Sequence, residues 1–160
     1  MLLMGSCRIP EPGSSRKEVP DLLQEARRQE AGEAGQAGRT HFLFPFSRDG
    51  IRREALVLTP GAVWEANPQS LSASSPLRIW VGMPFQIGDG AELSVETVRA
   101  GQPGGMIRMP LNPVHNRGDR QWHLLQMPFA PDTTLIRFRV SAGPSGDSTG
   151  DWVGLAPWLP

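Results

Sequence analysis

The sequence predicts an all-β protein, a two-sheet antiparallel β-sandwich, and three observations lead there. From His41 onward, apolar runs of four to eight residues are separated by clusters of Gly, Pro, Asn and Asp, the spacing of strands and turns. Several runs alternate apolar and polar residues, as strands with one wet face do. No helical pattern of a length suited to a crossover joins them, which argues against a parallel α/β sheet. Eight or nine strand candidates lie between residues 41 and 160. A jelly roll fits them best, with a Greek-key immunoglobulin-like arrangement as its neighbour, because connectivity leaves little trace in alternation.

Taken in order, HFLFPF reads as a first strand whose proline favours an edge or a bulge, followed by the turn SRDG. REALVLTP is a second strand, stopped by Pro60 and Gly61, and GAVWEANP a short third. PLRIWVGMPF is the strongest of all, with Leu77, Ile79 and Val81 on one side and Arg78 and Trp80 on the other. IGDG supplies a turn. AELSVETVRA alternates cleanly, and GQPGG is expected to end it. MIRMPLNP is a shorter strand, NRGD a loop, QWHLLQMPF another apolar run and PDTT a turn. In TLIRFRVSA, Arg137 and Arg139 oppose Phe138 and Val140. After the polar loop GPSGDSTG, a final short strand lies in DWVGLAPWLP.

The front of the chain has a different texture. Residues 8–40 contain no aromatic side chain, and only Ile9, Val19, Leu22 and Leu23 are large aliphatics. Such a segment buries too little to offset about 1–2 kcal/mol of backbone entropy per residue. VPDLLQEARRQEA suits a short helix capped by Asp21, but an apolar face two leucines wide predicts a nascent or docked turn, not a structural layer. Residues 1–40 are therefore read as a disordered or weakly helical leader, a tether, and 41–160 as the sandwich domain. MLLMGSC has the small-residues-then-cysteine pattern that ends a bacterial lipoprotein signal. That makes Cys7 a lipidation candidate, although a positive n-region is missing and the apolar run is short.

Composition removes several functional classes. Sixteen basic and sixteen acidic residues balance to a formal charge of zero, with no basic stripe to draw nucleic acid. One cysteine excludes an intramolecular disulfide framework, and no apolar stretch is long enough to span a bilayer. There is no nucleophile elbow, phosphate loop or dinucleotide fingerprint. His41, His115 and His123 lack metal-ligand spacing. The aspartates lie mostly in turns, so a small glycan-active enzyme is an outside alternative. Asp147 and Asp151 flank the oxygen-rich DSTGD, a candidate for structural calcium, which takes roughly six to eight oxygen ligands. The competing reading is an ordinary polar loop.

The five tryptophans, in a chain without tyrosine, carry most of the remaining interest. Trp122 and Trp152 read as strand core residues. Trp80 shares a face with Arg78, and Trp158 sits near the terminus, so these two are the candidates for stacking on a ligand. Arg137 and Arg139 line a strand face where they would hydrogen-bond a glycan or a partner. Asn116, in the long MPLNPVHNRG loop, is a further polar candidate.

The order PLRIWVGMPFQIGDGAELSVETV, RQWHLLQMPF, LIRFRVSAG and then Asp151–Trp152–Val153–Gly154 resembles jelly-roll accessory modules of large extracytoplasmic proteins, of the carbohydrate-binding-module type. The resemblance spans roughly residues 41–160 and is one of texture, without a diagnostic motif. MPLNPVHNRG departs from it, standing where a compact loop is expected. The resemblance implies a non-catalytic binding module for a polysaccharide or glycan, outside the cytoplasm or at the cell envelope, in some members with structural calcium. A structural or protein-interaction domain is the alternative.

Overall fold

Alternation assigns each strand one face toward a common core, and the strand order shows how the two sheets share it. In the computed structural model, which describes residues 22–32, 40–71 and 76–158, the strands are β1 (His41–Arg48), β2 (Ile51–Leu58), β3 (Val63–Ala66), β4 (Leu77–Gly82), β5 (Ala91–Arg99), β6 (Gln102–Leu111), β7 (His123–Met127), β8 (Leu135–Ala142) and β9 (Val153–Pro157). They form a five-stranded sheet in the order β1-β2-β9-β4-β7 and a four-stranded sheet in the order β3-β8-β5-β6, with every pairing antiparallel. Apart from the added β1, this is the strand order of a jelly roll, and it resolves the choice that alternation left open.

Between the sheets, Leu56, Leu58, Ile79, Val81, Val153 and Leu155 face Trp64, Leu93, Val95, Ile136, Phe138 and Val140, all 2% exposed or less. Trp64 and Phe138 meet at 5.6 Å between ring centroids. Burying each large apolar side chain is worth about 1.5–3 kcal/mol, so this layer dominates the stability of the domain.

Two elements differ from the sequence expectation. β5 was expected to end in the loop GQPGG. Instead the turn is the dipeptide Ala100–Gly101, with both residues at positive φ, and Gln102–Gly105 already belong to β6. An alanine in a left-handed position hides the usual glycine signal of a two-residue hairpin. A register shift between Glu96 and Val98 then accommodates Gly104, whose missing Cβ leaves room for the Thr97 hydroxyl.

The second difference is α1 (Leu22–Gly32), an 11-residue helix in place of a marginal turn. Leu22, Leu23 and Ala26 belong to the main core, and the helix packs against β1, β2 and β9. Gln29 Nε2 donates to the Glu65 carbonyl on β3, an edge strand, while Glu30 accepts the Leu43 amide of β1 at the other sheet's edge. The helix thus covers two open strand edges and closes one side of the sandwich. Tertiary contact supplies what an isolated helix of this length lacks.

Glu25 is buried in α1, and its carboxylate is held by Arg28 and Gln29. The hydrogen bond from Arg28, chiefly, lowers its pKa below the usual value against the opposing effect of burial. A folded-state pKa lower than the unfolded one adds stability above the unfolded value and loses it as pH falls through the folded value. Acidification from about pH 6 to about pH 3 is therefore expected to strip hydrogen-exchange protection from the α1 amides before the strands. In Glu25→Gln that early, helix-specific loss should be much reduced.

Candidate functional site

Two regions outside the central core gather unusual side chains: the outer face of the five-stranded sheet, and one end of the four-stranded sheet.

The outer face of the larger sheet is a second apolar layer. β2 reads ALVL because it is buried on both faces: Leu56 and Leu58 point into the sandwich, Ala55 and Val57 away from it. β2 pairs with β9 over Leu56–Leu58, and the rest of the β1–β2 hairpin folds across the outer face. Arg48 Nε donates to the Met83 carbonyl, and Trp122 Nε1 donates to the Ile51 carbonyl at 2.9 Å. Phe46 stacks on Trp122, with ring centroids 4.5 Å apart. Both rings need a flat floor, and Gly82 and Gly154, directly paired between β4 and β9, provide it. A Cβ on Gly82 would lie 3.0 Å from the Trp122 ring, and one on Gly154 would lie 2.5 Å from the Phe46 ring.

This layer contains Trp80, Arg78 and Trp158. The Arg53 guanidinium lies 4.5 Å from the Trp80 ring centroid and 5.8 Å from that of Trp122. Arg53 Nε is buried without a hydrogen-bond partner, so the aromatic faces are its principal compensation, and burial draws its pKa down. Arg78 lies 4.8 Å from the Trp158 ring and donates to Gln126. Trp122 is buried, as expected of a core residue, but on the outer face and not between the sheets. Trp152 packs edge-on between Phe42 and Phe85, at 5.3 and 5.1 Å. Each of these tryptophans has an internal partner on its ring.

Arg137 and Arg139 are on the other sheet. Arg137 stands in one cross-strand row between Glu65 of β3 and Glu96 of β5, bonded to both, and the two carboxylates raise its pKa. Arg139 is 4.0 Å from the same Glu96. The row ties three strands together and does not converge with Arg78 or the tryptophans.

Asn116 belongs to the second region, an open groove of about 550 Å³. Its floor is the start of β5 between the ends of β6 and β8, where Glu92 pairs with Pro110 on one side and Ser141 on the other. One wall is the loop after β6. There Asn112 N donates to Asp119 at 2.7 Å, Asn116 N donates to the Asn112 carbonyl at 2.7 Å, and Arg120 Nε donates to the Pro113 carbonyl at 2.7 Å. Asn116 Oδ1 accepts the Gly118 amide, and Asn116 lines the groove. Asp119 Oδ1 also lies 3.5 Å from His123 Nε2. The opposite wall is the β8–β9 loop, joined to Asp89 by the Ser145 amide. Among the described residues no lysine or arginine lines the groove, and Arg108 Nε lies 3.9 Å from Glu92 Oε1 beside it. The long loop that departs from the module texture thus forms a wall built by its own hydrogen bonds. Glu92, Asn112 and Ser141 carry no sequence signal of their own, because strands far apart in the chain bring them together.

Asp147 and Asp151 differ in their burial. Asp147 is exposed, and the Thr149 amide, bonded to it at 2.9 Å, lowers its pKa. Asp151 is fully buried and accepts the Gly143 amide at 3.1 Å. Burial pushes its pKa up, with the carboxylates of Asp89 and Asp147 adding to the effect. Among the described residues, no three His, Cys, Asp or Glu side chains gather as a metal set. No described helix is long and apolar enough to cross a membrane. Cys7 lies outside the described residues.

No protein-family model and no curated protein matches the chain. Among solved structures, it is similar to CBM51 from Clostridium perfringens GH95 in complex with methyl-galactose, at 13% identity over 71% of this chain and 76% of that one, with a TM-score of 0.45. It is also similar to the tandem CBM51 modules of Sp3GH98, the family 98 glycoside hydrolase from Streptococcus pneumoniae SP3-BS71. That match has 15% identity, covers 79% of this chain and 38% of that one, and has a TM-score of 0.38. These likenesses to carbohydrate-binding modules are weak and partial.

The glycine floor generates a direct test. Gly154→Ala forces the Phe46 ring off the sheet and is expected to cost about 1–3 kcal/mol, the usual range for overpacking. Chemical denaturation should show the loss, and near-UV circular dichroism should show an altered Phe46–Trp122 stack.

Proposed function

We propose that this protein is a non-catalytic glycan-binding module and that a neutral sugar occupies the groove between the β6–β7 and β8–β9 loops. One observation carries the reading. Carboxylate, amide and hydroxyl groups from Glu92, Asn116 and Ser141 share an open groove whose described lining is acidic and neutral, with Arg108 beside Glu92. Sugar hydroxyls donate to carboxylates and accept from amide N–H groups, so this set matches a polyhydroxylated ligand. Pro110, Leu111 and Pro144 add apolar surface for the C–H face of a ring. Asp89, Glu92 and Asp119 outnumber Arg108, which lies 3.9 Å from Glu92, so uronates, sulfated sugars and other anionic ligands are disfavoured.

Binding, in preference to hydrolysis, follows from how these carboxylates are used. The Ser145 amide holds Asp89 and keeps its pKa below the usual range, and the Asn112 amide holds Asp119. Both are spent on fixing loop positions, the preorganisation that a binding groove requires. The tryptophans of the outer face contribute stability in this reading, since their rings already pack on arginines and phenylalanines.

The test is a binding screen by isothermal titration calorimetry against neutral and acidic oligosaccharides, with Glu92→Gln and Asn116→Ala beside the wild type. Neutral sugars are expected to bind. Each substitution should weaken the affinity by about tenfold, the equivalent of roughly 1.4 kcal/mol for one hydrogen bond. Unchanged affinity in both variants, or a preference for acidic glycans, would contradict the assignment.

A further inference from the structure

Asp119 is a buried carboxylate, and its two oxygens have different neighbours. Oδ2 accepts the Asn112 amide at 2.7 Å, while Oδ1 has His123 Nε2 beside it at 3.5 Å. That gap is longer than the roughly 2.7–3.2 Å of an N–H···O hydrogen bond. His123 Nε2 is itself buried and has no hydrogen-bond partner. A neutral imidazole carries its hydrogen on either nitrogen, whereas the imidazolium presents an N–H at both. The protonated ring therefore always meets Asp119 with a donor and a charge, which a buried carboxylate needs.

From Asp119 the polar contacts continue across the loop end of the sandwich. Asn112 uses every polar group it has. Its amide goes to Asp119, its carbonyl accepts the Asn116 amide, its Oδ1 accepts the His115 amide at 3.1 Å, and its Nδ2 donates to the Asp89 carbonyl at 2.7 Å. His123 opens β7 of the five-stranded sheet, paired with Val81 of β4, and Asn112 follows β6 of the four-stranded sheet. The chain His123–Asp119–Asn112–Asp89 thus runs from one sheet to the other, and its last three members line the groove. Among the described residues, Asp119 is the acidic side chain within 4.0 Å of the ring. Of the cations on neighbouring segments, Arg120 donates to the Pro113 carbonyl, Arg48 to the Met83 carbonyl beyond β4, and Arg117 is exposed.

We propose that His123 is a positioning residue of the groove: on taking a proton it pairs with Asp119, tightens the Asp119–Asn112 wall and raises the affinity for a neutral sugar. The ligand is that of the glycan reading, on which this proposal rests, and the added element is a wall under proton control. A proton that favours the binding-competent wall is also held more tightly once sugar is bound, so the two events reinforce each other. Asp89 keeps its charge on mild acidification, because the Ser145 amide lowers its pKa. Asp151, pushed up by burial, is a second group that acidification reaches early, and substitution of His123 separates the two.

The first experiment follows the full chain without ligand by ¹H–¹⁵N NMR from about pH 7.5 to about pH 5.5, the span over which a free imidazole takes its proton. The Asn112 backbone amide is expected to shift in step with the His123 ring. In His123→Gln, which keeps a donor for Asp119 without the charge, that shift should vanish. Calorimetry with a neutral oligosaccharide should then show an affinity about fivefold higher at the acidic end, at the low end of ordinary couplings between sites, with net proton uptake on binding. His123→Gln should bind equally at both ends, and His115→Gln, altered on the exposed wall loop, should keep the wild-type profile. An Asn112 amide indifferent to the His123 titration would overturn the proposal, as would a pH profile that survives in His123→Gln or disappears in His115→Gln. If no sugar binds at any pH, the glycan reading fails, and the Asn112 titration alone decides whether His123 positions this wall.

Discussion

The paired glycines Gly82 and Gly154 are the constraint on which the outer architecture depends. A jelly roll ordinarily leaves the outer faces of its sheets to water. Here two side chains are missing at adjacent positions on neighbouring central strands, and the rings of Phe46 and Trp122 lie on the bare backbone. Their stacking draws the β1–β2 hairpin across the sheet, and the Trp122 indole anchors it by bonding the Ile51 carbonyl. Arg53, carried down with the hairpin, comes to rest on Trp80. A sheet face that is aromatic in sequence is therefore largely an interior surface in the fold.

Beyond that face and the internally paired Arg137 row, a concave polar surface lies at the loop end of the smaller sheet. Both groove walls are fixed by backbone amides that donate to side-chain carboxylates, Asn112 N to Asp119 on one side and Ser145 N to Asp89 on the other. Such bonds hold a loop in its binding shape before a ligand arrives, so less ordering entropy is lost on association. In the proposed reading, stability and recognition are divided: the aromatic layer holds the hairpin, while the acidic loop residues shape the groove.

Much of the fold was legible because the strands obey a period of two. Ile136, Phe138 and Val140 are buried and Arg137 and Arg139 point outward, as the alternation in LIRFRVSA requires. The Asp49–Gly50 turn lies within the SRDG cluster. The second apolar layer also left a trace in the unbroken run ALVL and in glycines at the strand positions of Gly82 and Gly154, which together mark a strand buried on both sides and a close approach. The helix was less legible, since three small or aliphatic residues suffice for it only when two strand edges are waiting. The groove was hardly legible at all. Glu92, Asn116 and Ser141 lie on separate segments, and their convergence is a property of topology, not of any local pattern.

The central claim is that the loop-end groove, and not the tryptophan-bearing sheet face, meets the ligand. Chemical-shift mapping by ¹H–¹⁵N NMR during titration with a neutral oligosaccharide tests it most directly, because backbone amides, side-chain amides and indole N–H groups are all read in one spectrum. The account predicts shifts at Gly90, Glu92, the Asn112 and Asn116 side chains, and Ser141, with the indole signals of Trp80 and Trp158 unmoved. Shifts centred on those two indoles, with the groove signals unchanged, would contradict it.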